Sequence, residues 1–110
     1  MMCEYLNNFN EHAINYEAYS FAKIMSDYFS LNDIQKQELF YILNEIWADK
    51  KYLVGNYRYE NIIIATCMYT KKESIDVNTI IPDVYKDDYK SHVRQVYAIY
   101  TSLQEMFIQL

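Results

Sequence analysis

The chain has 110 residues, 52% hydrophobic and 23% charged, with a formal charge of −5 at pH 7. That is enough apolar material for one core and too little charge for disorder, and the sign opposes unaided binding to nucleic acid or an anionic membrane. A single glycine and a single proline, against usual shares of about 7% and 5%, exclude glycine-rich phosphate-cradling loops and folds built on many tight turns. An all-α protein of one domain, 1–110, is expected.

Thirteen tyrosines, with many Asn, Ile, Lys and Asp residues, fit the coding bias of an AT-rich genome, such as that of a virus or parasite. Their rings belong at the core boundary or in an interface, because each buries a large apolar face while its hydroxyl needs a partner. The start, MMCEYLNNF, lacks the basic flank and apolar run of a secretory leader, and no segment approaches the roughly twenty apolar residues of a membrane span. An intracellular location, cytoplasmic or nuclear, is expected. Cys3 and Cys67 are isolated, so no disulfide framework is indicated.

Residues 1–10 read as a fraying or capping segment. From Ala13, the positions Ile14, Ala18, Phe21, Met25 and Tyr28 recur at spacings of three and four and predict a first helix. Asn32 and Gln35 form a capping-box pattern opening a second helix, whose core stripe is Ile34, Leu39, Leu43, Ile46 and Trp47 with Ile42 beside it. In Asp49 to Tyr59, Gly55 and Asn56 accept positive φ, so the segment reads as a turn, with a hairpin as the alternative. The run NIIIATCMYT, Asn61 to Thr70, is too short for a bilayer and apolar on nearly every side. It predicts a buried core helix over about Tyr59 to Lys72, with Ala65 at a close helix crossing. Asp76 caps a short fourth helix containing Val77, Ile80 and Ile81, closed by Pro82. Asp87 or Asp88 caps a long last helix with the stripe Tyr89, Val93, Val96, Tyr100, Leu103, Phe107 and Leu110, either a bundle face or a coiled-coil seam.

Little in the chain carries reaction chemistry. Cys3, His12, Cys67 and His92 are scattered singly, unlike the short spacings of a zinc site, so no metal and no cofactor are expected. His92, between Lys90 and Arg94, reads as a solvated helix residue, and Asp83, Asp87 and Asp88 as helix-start carboxylates. No catalytic set emerges. Lys50, Lys51, Arg58, Lys71 and Lys72 gather near the two ends of the buried helix, interleaved with Tyr52, Tyr57 and Tyr59. They suggest a docking patch for a protein; stacking of single-stranded nucleic acid on the rings is the alternative. The expected partner-binding residues are Tyr57, Tyr59, Lys71, Lys72 and Glu73.

The stretch LFYILNEIWADKKYLVGNYRYENIIIATCMYTKKESIDVNTI, with Ala65, Cys67 and Tyr69 in its apolar helix, resembles the second helix, turn and third helix of a core repeat of transcription factor IIB, in the cyclin-box family. The similarity runs from about Phe21 to Leu103. It implies a compact five-helix, cyclin-like bundle with a buried central third helix. In cyclins a lysine and a nearby glutamate close the third helix, and that lysine with a glutamate of the fifth helps hold a kinase; Lys71 and Glu73 match the first two positions, and Tyr97 stands near the last. Factor IIB carries two such repeats and basic surfaces, where this chain has one repeat and an acidic balance. The function expected is therefore a non-enzymatic protein-binding module, monomer or homodimer, acting in transcription or cell-cycle regulation or as a small viral factor targeting such machinery. Two alternatives stand beside it: a small acidic phage or viral inhibitor occupying a nucleic-acid-binding protein surface, and a small helical enzyme or ligand carrier.

Overall fold

The computed structural model of the chain describes residues 14–72 and 89–107. The expected fourth helix, the Asp87 and Asp88 caps, Glu73, Cys3 and His12 lie outside these residues. The described residues form helices and their connections, with no strand: α1 (Tyr16–Tyr28), α2 (Asp33–Asp49), α3 (Lys51–Asn56), α4 (Tyr59–Lys71) and α5 (Tyr89–Met106). The all-α bundle is as the composition predicts.

Local chemistry sets the helix ends. Asn15 caps α1, its side chain accepting from the Ala18 amide at 2.8 Å. The helix stops where Ser30 turns left-handed at φ 56°, with the Ser30 amide donating to the Asp27 carbonyl and the Leu31 amide to the Ser26 carbonyl. This is the paired closure of a Schellman end, and the buried Leu31 supplies its apolar contact. Asn32 and Gln35 form the expected capping box, bonding each other's backbone amides at 2.8 and 2.9 Å.

The segment read as a turn is instead a short helix. Gly55 and Asn56 lie inside α3 with negative φ, and the chain bends at its edges, at Lys50 and at the extended pair Tyr57 and Arg58. Leu53 is the reason: a helical turn buries it almost completely, whereas a turn centred on Gly55 has no such anchor.

Helix α4 carries the core. Ile62, Ile63, Ile64, Ala65 and Cys67 are fully buried and Met68 nearly so. Each buried isoleucine stabilises by about 1.5–3 kcal/mol relative to exposure, so three in succession require neighbours on all sides. Helices α1, α2 and α5 supply them. Helix α1 runs beside α4 in the same direction, since Phe21 meets Tyr59 while Ser30 meets Lys71. Helix α5 does likewise, with His92 and Gln95 beside Asn61 and Phe107 beside Tyr69. Helix α2 returns antiparallel to α1, as the pairs Tyr19 with Phe40 and Asp27 with Lys36 require.

Two positions placed in core stripes, Tyr28 and Ile34, are exposed, while Ala22, Phe29 and Ile99, outside the expected stripes, are buried. On α5, Val96, Ile99 and Leu103 are fully buried within the chain. The stripe is therefore a bundle face against α4, as one of the two readings had it.

Candidate partner-binding surface

The expected binding residues divide between the two ends of α4. From Tyr59 to Lys71 the helix rises about 18 Å, at roughly 1.5 Å per residue, so tyrosines and lysines do not form one patch. At the first end, Tyr57 and Tyr59 are half-buried and pack against the core. The Tyr59 ring meets Phe21 edge-on, centroids 6.0 Å apart at 86°. Partial desolvation, then the carboxylates of Glu60 and Glu17, push its hydroxyl pKa up. Arg58 and Glu60 stand 3.6 Å apart beside it. Both rings belong to the packing at the core boundary.

At the other end, the Lys71 ammonium donates to the Ser30 carbonyl at 3.2 Å, tying α4 to the end of α1. Lys72 is exposed and closes α4 in the left-handed region, φ 60°, its amide donating to the Met68 carbonyl. Lysines here also suit the negative end of the helix dipole. Glu73 lies outside the described residues.

His92 is half-buried, not solvated as its neighbours suggested. Its Nδ1 lies 3.1 Å from the Asn61 amide nitrogen, which also donates to Gln95 Oε1 at 2.9 Å. Asn61 is fully buried at the start of α4, so these bonds hold α5 to α4 through a polar junction inside the core margin. Asn61 Oδ1 has no hydrogen-bond partner among the described residues. Cys67 is buried deeper along α4, and loss of hydration raises its thiol pKa above the ordinary range. With no thiolate at neutral pH, Cys67 is a small core hydrophobe. Among the described residues, no group of three or more His, Cys, Asp or Glu side chains is placed to hold a metal ion. No described helix is long and apolar enough to cross a membrane.

The sequence reading missed the outward face of α2. Seven residues make nearly two helical turns, so Ile34, Tyr41 and Ala48 form a row on the side away from Leu39, Leu43 and Ile46. Ile34 is 78% exposed and Tyr41 52%. Glu38, Glu45 and Asp49 flank the row, and none of the three forms an ion pair among the described residues. Lys36 stands on the other side of α2, 2.8 Å from Asp27, and that carboxylate holds its ammonium pKa up. The signal was legible as the seven-residue step from Ile34 to Tyr41. An isoleucine in the first turn of an amphipathic helix also looks like core, which hides the step.

No family model, no curated protein and no solved structure matches the chain.

Proposed function

We propose that the protein is a non-enzymatic protein-binding module, a small cyclin-like helical bundle that acts by occupying the surface of a protein in transcription or cell-cycle machinery, in a cell or on behalf of a virus. The observation that supports this reading is the contrast between a filled core and large apolar side chains left in water. Around α4, the side chains Ile62, Ile63, Ile64, Leu43, Ile46 and Leu103 are fully buried. Outside, Tyr16, Ile24, Tyr28, Ile34, Tyr41, Tyr52 and Tyr97 are exposed. Single exposed apolar residues are ordinary, but tyrosines at this density supply the kind of rigid anchor that dominates interface energetics. The assignment to transcription or the cell cycle rests on the resemblance of the Leu39 to Ile80 stretch to a cyclin-box repeat.

A second reading, an acidic inhibitor that covers the nucleic-acid-binding surface of another protein, is favoured by one observation: the carboxylates along α2 face outward and form no ion pair among the described residues. Such a strip attracts basic surfaces and speeds encounter with them.

The test is affinity capture from the native host, identification of the enriched protein, and titration of that protein, purified, against the full chain. A saturable one-to-one complex supports the module. Enrichment of no protein over a charge-matched control, or turnover of a small molecule by the chain alone, overturns it.

A further inference from the structure

The α2 face is a strip of defined chemistry. Its apolar row spans about 21 Å from Ile34 to Ala48 at roughly 1.5 Å per residue, about four helical turns. Carboxylates of Glu38, Glu45 and Asp49 border the row, while Gln37 and Asn44 lie on its other margin without charge. A row with a seven-residue step matches the seam that one helix offers another.

We propose that this face docks a basic amphipathic helix of a partner protein, with the partner's apolar seam on Ile34 and Tyr41 and its lysines or arginines over Glu38 and Glu45. The inference rests on the binding-module reading and names its surface and the partner's chemistry. Charge selects the occupant. A second copy packed antiparallel about a two-fold axis brings Glu38 and Glu45 against their own equivalents, which repel, and one packed parallel sets them against the uncharged Gln37 and Asn44, where no ion pair forms. Nucleic acid and anionic lipid are repelled by the same carboxylates. A basic helix meets the exposed apolar pair and the three acids together, the helix-on-helix mode of peptide recognition.

The experiment titrates the isotope-labelled full chain with synthetic helical peptides and follows backbone amide shifts by NMR. One peptide carries a leucine seam flanked by lysines, the second has glutamates in place of the lysines, and the third is a scramble of the first. The expected result is saturable binding of the lysine peptide alone, with shifts concentrated between Ile34 and Asp49. Affinity should fall at least tenfold both in Ile34→Ser/Tyr41→Ser and in Glu38→Lys/Glu45→Lys. The charge-matched control Glu17→Lys/Glu105→Lys should stay within about twofold of the unmodified chain. These sites are exposed or half-buried, and the shift map of the unmodified chain localises binding whether or not a variant folds. Shifts at Tyr57 to Tyr59 in place of α2 overturn the strip and leave the module reading standing. Equal loss in the control reduces the effect to net charge and overturns the strip too. If none of the peptides binds, or if the chain alone self-associates through α2, the inference is wrong, and host capture still decides the module reading separately.

Discussion

Ala65 shows how much a single methyl position carries. It is fully buried in the middle of α4, and a larger side chain there must displace packed neighbours. Ala65→Phe should cost about 1–3 kcal/mol or more, read as a lower urea midpoint with an unchanged m-value; an unchanged midpoint would remove Ala65 from the core. Ile34 is the counter-case. Its side chain is already in water, so Ile34→Ser should change stability by less than about 0.5 kcal/mol, which is why a binding loss in that variant is interpretable. Tyr59 is not interpretable in that way, because its ring packs on Phe21 and its removal disturbs the core as well as the surface.

At the scale of elements, α3 and the end of α4 separate local preference from tertiary demand. Gly55 sits in a helix with negative φ, and a Cβ built on it meets nothing within 4 Å. Gly55→Ala should therefore stabilise the protein by about 0.4–1 kcal/mol, chiefly by restricting the unfolded chain, and thermal unfolding with a higher midpoint checks it. Were Gly55 in a positive-φ turn, the same change would destabilise. The last turn of α4 depends on Lys71, which bonds the Ser30 carbonyl and faces the negative end of the helix dipole. Lys71→Met should lose about 1 kcal/mol. Lys72→Met, at an exposed site with no such bond, should lose roughly half of that and show less of the loss in high salt. Equal losses at the two positions, measured by urea unfolding, would show that the Ser30 contact contributes nothing.

For the whole molecule, burial of Cys67 links stability to pH. The thiol's ordinary pKa is 9.0, and burial raises it in the folded state, so the unfolded chain ionises first. Its contribution is fully present below pH 9 and is lost as pH rises, by about 1.4 kcal/mol per pH unit while only the unfolded thiol is charged. Tyr59 adds loss in the same direction above its ordinary value of 10.0. Stability curves of the wild type and Cys67→Ala, measured from pH 8 to 10.5, should diverge in slope above pH 9, with the wild type falling more steeply. Parallel curves would mean that the thiol is accessible in the folded state.

The sequence by itself determined the helical class, the Asn32 and Gln35 cap, the buried run through Ile63, Ala65 and Cys67, and the stripe of α5, because each is written in local propensity or in a period of 3.6 residues. Only the tertiary structure decided what each helix faces. Periodicity marks an apolar direction but does not say where a neighbour ends, so Ile34, beyond the reach of α1 and α4, remained in water while Ile99 went inside. The same limit explains α3, where burial of Leu53 outweighs the turn preference of Gly55 and Asn56. The expected binding residues divided between two ends of α4 for a related reason: positions near in sequence to one buried helix share its length, about 18 Å, and not a common surface. The acidic strip on α2 became visible once its opposite side was filled, since exposure is a property of the packed molecule and charge patterning alone does not assign it.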